Sequence, residues 1–224
     1  KSDIKMGALM LEELPKKTVL SLMSRHLEKP LHLPSTVSSV EERRAARDAV
    51  VPQGRLVLYS HFGSSEIDVF ISKIKYQVKA MDCELIWLDH VSIVVSDGHT
   101  DDERKALDRI MTELRTLVEE LDVAMFVVSH LKRPDGTPHE EGARVNMGQL
   151  RGSAGIGQLS DIVIGLERNT QADDPVERNV TLVRVLKNRF TGELGPACRL
   201  LYDAERVTMT EMMDWETDDD GQPI

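Results

Sequence analysis

Apolar positions along the chain fall into short continuous runs that alternate with stripes of three-to-four spacing. The runs predict four buried strands, at 7–11, 55–60, 84–88 and 123–129. The last of these is typical of a central strand in a parallel sheet. The stripes predict four helices, beginning at residue 15 and spanning 39–50, 67–81 and 101–121. Strands that alternate with helices predict an α/β fold around a mainly parallel sheet.

The carboxyl-terminal part has a different pattern. Residues 131–148 read as a long charged loop with Gly and Pro, and strands are predicted at 161–167 and 180–187. Two further runs, 198–203 and 207–210, predict an antiparallel ribbon. From Glu211 onward the chain carries six acidic residues and no Lys or Arg, which predicts a disordered tail. We therefore expect one core domain at 1–210 and an acidic tail at 211–224.

Composition narrows the class of protein. The 224 residues, 41% of them apolar, suit one large domain. No run approaches the roughly 18 uncharged apolar residues of a membrane span. Cys83 and Cys198 lie far apart beside apolar runs, which argues against a disulfide framework and suits a reducing cytoplasm. The net charge of −10 opposes phosphate binding, but without the six acids of the tail the body carries only −4.

Three predicted strands end in residues that can do chemistry. Asp89 ends the run 84–88, Glu12 and Glu13 follow the run 7–11, and His130 follows the run 123–129. The carboxyl ends of parallel strands form the edge where α/β proteins bind ligands. A carboxylate there can hold Mg²⁺ or orient a water molecule. Taken singly, Asp89 also suits a strand cap and His130 a structural histidine, whereas the three together favour a site.

Several short motifs occur in a fixed order along the chain. They include Met10-Leu11-Glu12-Glu13, Leu88-Asp89-His90-Val91, Ser129-His130-Leu131-Lys132, Leu150-Arg151-Gly152-Ser153 and Lys187-Asn188-Arg189-Phe190. As an ordered set, over roughly residues 5–210, they resemble the helicase domain of bacteriophage primase–helicases. That family is related to the mitochondrial helicase Twinkle and to the bacterial DnaB helicases.

The resemblance implies a RecA-like core that assembles into a homo-hexameric ring. Such a ring hydrolyses ATP or dTTP with Mg²⁺ and moves along single-stranded DNA. The implied site residues are Glu12 for orienting water (with Glu13 as the alternative), Asp89 for Mg²⁺, His130 as γ-phosphate sensor, Arg189 as arginine finger with Lys187 nearby, and Arg168 and Tyr202 around the nucleotide base. For the last two, a strand-end charge and a core aromatic residue remain the alternative interpretation.

The resemblance also implies DNA contact by two loops, one after Asp89 and one at 132–158. The expected contact residues are Lys132, Arg133, Arg144, Arg151 and Gln158. The charged residues of this loop region sum to +1, and backbone contacts need local donors rather than a basic protein. The tail at 211–224 is expected either to contact a replicative DNA polymerase through Trp215 or to aid solubility. The expected location is the cytoplasm of a phage-infected bacterium, with no membrane contact.

The phosphate-loop motif Gly-x-x-x-x-Gly-Lys-Ser/Thr does not occur in the sequence. Because the chain begins with Lys1-Ser2 rather than Met, a fragment or processed product is expected. Two classes of function therefore stay open. The first is a replicative helicase domain without its first strand, phosphate loop and helix, which would be inactive alone. The second is a non-hydrolysing RecA-like module that binds DNA or a replisome partner.

Overall fold

The computed structural model of the chain describes residues 3–52, 54–60, 67–95, 100–134, 136–150 and 154–213. The chain divides between His130 and Leu131 into two compact units. The core predicted at 1–210 includes parts of both units.

The first unit contains a four-stranded parallel sheet. Its strands are β1 (Met6–Met10), β2 (Leu56–Tyr59), β3 (Leu85–Asp89) and β4 (Ala124–Val127), in the order β2-β1-β3-β4. All three pairings are parallel, as predicted. Among these strands β4 lies at the end of the sheet rather than at its centre, and Phe126 on it is 51% exposed. The prediction of a central strand there is wrong for the described part of the chain.

Helices cover this sheet with the faces that the sequence pattern predicts. They are α1 (Pro15–Leu27), α2 (Val40–Val50), α3 (Ile67–Lys79) and α4 (Thr100–Leu121). The stripe of α4 is buried at Leu107, Ile110, Met111, Leu114 and Leu117. Helix α3 approaches β1 so closely that a Cβ on Gly7 would lie 2.6 Å from Gln77 Oε1 and 2.9 Å from Ile86 Cδ1. Glycine at position 7 therefore allows this packing.

Helices α1 and α2 pack on each other around a small apolar cluster of Met23, Leu31 and Ala46. Ser39 caps α2 by accepting a hydrogen bond from the Glu42 backbone N–H at 3.0 Å. The carboxylate of Glu42 instead accepts a hydrogen bond from Lys29 Nζ at 2.6 Å. Only the Ser39 half of the predicted capping box is therefore present.

The second unit contains a four-stranded antiparallel sheet. Its strands are β5 (Ile162–Glu167), β6 (Val180–Asn188), β7 (Gly195–Asp203) and β8 (Thr208–Glu211), paired in chain order. The predicted antiparallel ribbon corresponds to β7 and β8. Strands β5 and β6 extend it to four strands. Glu211, the first residue of the predicted tail, ends β8, and residues 214–224 lie outside the described part of the chain.

A short helix, α5 (Ala154–Leu159), precedes β5 and was not predicted. Two of its six residues are glycine, the weakest helix former after proline, so its sequence carries little helical signal. Before it, the loop predicted at 131–148 is closed at its base. Leu131 forms a bridge to Leu150, and the Lys132 backbone N–H donates to the Gln149 carbonyl at 2.7 Å.

Both cysteines are free thiols, as predicted. Cys83 is 2% exposed and Cys198 is half-buried. Burial raises the pKa of both thiols, and the charge of Glu211 acts in the same direction on the pKa of Cys198. Among the helices in the described ranges, none is long and apolar enough to cross a membrane.

We expect Cys83 to react with a thiol reagent more slowly than Cys198 in the folded chain at pH 8. Less exposure and a raised pKa both reduce the available thiolate. The measurement is the two-phase reaction with Ellman's reagent, using Cys198→Ser to assign the phases. In denaturant without reductant, two thiols should react at one common rate. A Cys83 that reacts equally fast in both states would contradict its burial.

Candidate active site

The carboxyl ends of β1, β3 and β4 bring three predicted site residues into one region of the first unit. Glu12 follows β1, Asp89 ends β3, and His130 follows β4. The strand ends are joined by backbone hydrogen bonds: the Leu11 N–H donates to the Asp89 carbonyl at 2.7 Å, and the Val91 N–H to the Val128 carbonyl at 3.1 Å. The parallel pairing predicted from the apolar runs therefore places these side chains at one edge of the sheet.

His90 lies at the centre of this region. Its ring is 5% exposed, and its Nε2 lies 2.8 Å from Glu12 Oε1. The ring centroids of His90 and His130 are 3.8 Å apart, with the planes tilted by 32°. The buried Nδ1 atom of His90 has no hydrogen-bond partner within the described ranges. One buried imidazole thus contacts both Glu12 and His130.

Sequence reasoning gave His90 no role, although it lies in the quoted motif with Asp89. A histidine after a strand-end aspartate carries no periodic signal, and its burial follows from the packing of neighbouring strands. Its position next to Asp89 was the only signal for it. The contact with Glu12 joins residues 78 positions apart, which local pattern cannot reveal.

Glu12 and Glu13 have different environments. Glu13 accepts a hydrogen bond from the Thr18 hydroxyl at 2.6 Å, in the first turns of α1. Glu12 is exposed and contacts His90. Glu12 is therefore the carboxylate of the pair that reaches the strand-end cluster, while Glu13 is engaged with the helix that follows.

Asp89 is half-buried at the end of β3. Burial raises its pKa above the ordinary range for an aspartate, the charges of His90 and His130 oppose this shift, and the charges of Glu12 and Glu13 reinforce it. The pKa rises because removal from water penalises the charged form, as does a nearby charge of the same sign. A cation placed near this carboxylate would stabilise its ionised form.

The predicted residues around the nucleotide base lie in the second unit. The guanidinium of Arg168 lies 6.0 Å from the centroid of the Tyr202 ring, at the limit of a cation–π contact. It also donates to the Arg178 carbonyl at 2.7 Å and to Asn179 Oδ1 at 2.9 Å. A cavity lies beside it, lined by Arg168, Thr170, Pro175, Arg178 and Asn179. The two predicted residues are thus in contact with each other.

Lys187 and Arg189 make contacts within their own unit. Lys187 Nζ donates to the carbonyls of Gly157, Gln158 and Ser160 at 2.8, 3.1 and 2.7 Å. Arg189 pairs with Asp161 through Nη1 and Oδ1 at 2.9 Å, and its guanidinium is about half exposed. Lys187 therefore caps α5, and Arg189 lies at the surface.

The predicted DNA-binding residues Lys132, Arg133, Arg144 and Gln158 are exposed in the second unit. Arg151 lies outside the described residues. The loop that carries three of these cations is ordered by a capping box at Asn146 and by His139, whose Nε2 lies 3.1 Å from the Lys132 carbonyl oxygen. These cations are therefore presented from a structured loop.

A model of the DnaB-like helicase C terminal domain matches residues 40–211 of the chain. The chain belongs to this family. Its sequence is 39% identical over 206 residues to the DNA helicase/primase of Enterobacteria phage T3, covering 90% of the chain and 36% of that relative. It is 29% identical over 113 residues to the replicative DNA helicase DnaB of Treponema pallidum (strain Nichols), covering 50% of the chain and 23% of that relative. The chain thus spans about a third of the phage relative's length.

Solved structures of DnaB-like helicases share the fold. One of them is an ATPase domain, which superposes with a TM-score of 0.73 at 19% identity, over 94% of the chain and 75% of that structure. A DnaB-like replicative helicase, described with its interactions with primase, gives a TM-score of 0.73 at 18% identity, over 93% of the chain and 52% of that structure. The predicted RecA-like fold and the predicted family are confirmed.

Proposed function

We propose that this chain forms part of a replicative DNA helicase that couples hydrolysis of ATP or dTTP to movement along single-stranded DNA. The supporting observation is the meeting of Glu12 and His130 around His90 at the carboxyl end of a parallel sheet. In a DnaB-like helicase domain this edge suits a triphosphate and its attacking water. The activity of the phage relative's full length is thereby proposed for a chain that spans part of it.

Glu12 would act as the carboxylate that orients the attacking water. Its oxygens are exposed, so water can reach them, and its contact with buried His90 restricts its position. A positioned carboxylate that accepts a proton contributes about 10²–10⁴-fold in rate. His130 would read the γ-phosphate, since its exposed ring lies on the other side of His90.

Asp89 would hold Mg²⁺. Its carboxylate oxygens match the preference of Mg²⁺ for oxygen ligands, and the raised pKa of Asp89 is the kind of environment that a cation relieves. When bound, Mg²⁺ neutralises charge on the phosphate oxygens. Glu12, His130 and the phosphate groups would then face one another at this strand edge.

Arg189 would complete the site of a neighbouring subunit in a hexameric ring. Its guanidinium is half exposed just after β6, where it is paired with Asp161. To reach a neighbour's γ-phosphate it would exchange this partner for a phosphate, the ligand that suits a planar guanidinium. Arg168 and Tyr202 would bind the nucleotide base, with Lys187 holding the adjacent backbone.

The loop at 132–158 would carry the DNA contacts, with Lys132, Arg133 and Arg144 exposed on it. The acidic tail would contact the replicative polymerase, and the protein would work in the cytoplasm of the phage-infected host. For these contacts the supporting features are the exposed cations and the six tail acids in the sequence.

The DNA contact is tested by Lys132→Ala. We expect weaker binding of the purified chain to oligo-dT, similar for other sequences, and a log–log salt slope smaller by about 0.7, the value for one lost phosphate contact on a single strand. Lys17→Ala, at an exposed lysine on α1, is the matched control and should leave the slope unchanged. Equal slopes for the two variants would remove Lys132 from the DNA-binding surface.

A further inference from the structure

The strand-end cluster has a donor set that magnesium chemistry does not use. Glu12, His90 and His130 each offer one ligand atom, and these three atoms lie within 4.8 Å of one another. Two of the three donors are imidazole nitrogens. Mg²⁺ binds oxygen ligands, whereas imidazole suits zinc, copper, iron and nickel. The set therefore differs in kind from the Asp89 carboxylate proposed for Mg²⁺.

We propose that Glu12, His90 and His130 form a binding site for a borderline divalent cation of the Zn²⁺ class. Three protein ligands of the His₂-carboxylate type are common in zinc sites that keep one position open. Because zinc lies about 2.0–2.2 Å from each ligand, two ligand atoms on one ion are at most about 4.4 Å apart. A separation within 4.8 Å needs only a small closing movement, which the exposed Glu12 and His130 side chains can supply.

The fixed part of the site is His90. Its ring is buried and lies against the His130 ring, so one imidazole is held in place before any ion arrives. Its Nε2 already lies 2.8 Å from Glu12 Oε1, which shows that nitrogen and carboxylate share one space. An ion between them would replace this contact with two metal–ligand bonds. Preorganisation of this kind lowers the ordering cost of binding.

The consequence for activity rests on the proposed function. A Zn²⁺ ion held by these residues would occupy the carboxylate that orients water and the histidine that reads the γ-phosphate. It would therefore inhibit hydrolysis at a position different from that of Mg²⁺. Binding itself requires no nucleotide and can be measured on the 224-residue chain.

The test is isothermal titration of the chain with Zn²⁺ in excess Mg²⁺, with Co²⁺ absorption in the visible as a spectroscopic reading of the ligands. We expect one Zn²⁺ per chain, unaffected by millimolar Mg²⁺. Glu12→Gln and His130→Asn should each weaken binding at least about tenfold, since even the loss of a ligand's supporting partner costs about 10–100-fold. His26→Asn, at an exposed histidine on α1, is the control and should bind as the original chain does.

Glu12 and His130 are exposed, so both variants can be checked for folding by circular dichroism without disturbing buried His90. Unchanged Zn²⁺ affinity in folded Glu12→Gln and His130→Asn would overturn the proposal, as would displacement of the ion by millimolar Mg²⁺. Absence of hydrolysis in every assay would overturn the proposed function and leave the binding result standing. Binding lost only in the two ligand variants would establish the site.

Discussion

In a protein that joins this chain to a phosphate loop, Glu12→Gln is expected to lower nucleotide hydrolysis by about 10²–10⁴-fold. The amide keeps the size of the side chain and can still contact His90, but it cannot accept a proton from the attacking water. Nucleotide affinity should change less than about twofold, because Glu12 is an exposed residue whose proposed role is with water. Steady-state hydrolysis and binding of a fluorescent nucleotide measure the two quantities separately.

Glu13→Gln is the matched control for this prediction. The neighbouring carboxylate differs from Glu12 in its partner, the Thr18 hydroxyl, and not in its chemistry. We expect its hydrolysis rate to stay within a few-fold of the original. The reverse result, with Glu13→Gln inactive and Glu12→Gln active, would assign the catalytic role to Glu13. Loss of nucleotide binding in Glu12→Gln would make Glu12 a structural residue.

The largest effect on stability is expected from Glu167→Gln in the second unit. Arg184 is 2% exposed, and its Nε and Nη2 donate to the two oxygens of Glu167 at 2.7 and 3.1 Å. Glu167 Oε1 also accepts from the Val145 backbone N–H at 2.8 Å. Removing one charge of a buried pair costs about 3–5 kcal/mol, because the remaining charge stays in a poorly solvated environment.

Urea unfolding followed by circular dichroism measures this free energy. Asp48→Asn is the control, since it breaks an exposed pair with Arg47 that should contribute less than about 1 kcal/mol. The double substitution Glu167→Leu with Arg184→Met should recover much of the loss, because no buried charge is left unpaired. An effect of Glu167→Gln as small as that of Asp48→Asn would mean that Arg184 is solvated in the folded chain.

The parallel unit could be predicted from the sequence because its signals are local. Runs such as 84–88 are apolar and end in a charge, and the stripe of α4 is buried as its spacing predicts. Helix α5 was missed because its glycines weaken the helical pattern, while the carbonyls at its end are satisfied by Lys187, 27 or more positions away. The edge position of β4 depends on which strands pair, which an apolar run does not specify.

The candidate site was predicted only in part for a similar reason. Glu12, Asp89 and His130 each follow or end a strand, and parallel pairing brings such positions together. His90 contributes through burial and a contact across 78 positions, which no local pattern encodes. The engagement of Lys187 with α5 is likewise a tertiary feature, so its composition and position suggested a ligand contact rather than a cap.

The cap that Lys187 places on α5 joins two parts of the second unit mechanically. Its three hydrogen bonds hold residues 157–160 to β6, and Arg189 adds two more to Asp161. Gln158, at the end of the proposed DNA loop, and Arg189, the proposed finger, are therefore attached to one lever. A DNA strand that shifts Gln158 would carry Arg189 with it, so that the advance of the strand and the timing of hydrolysis in the next subunit become one motion.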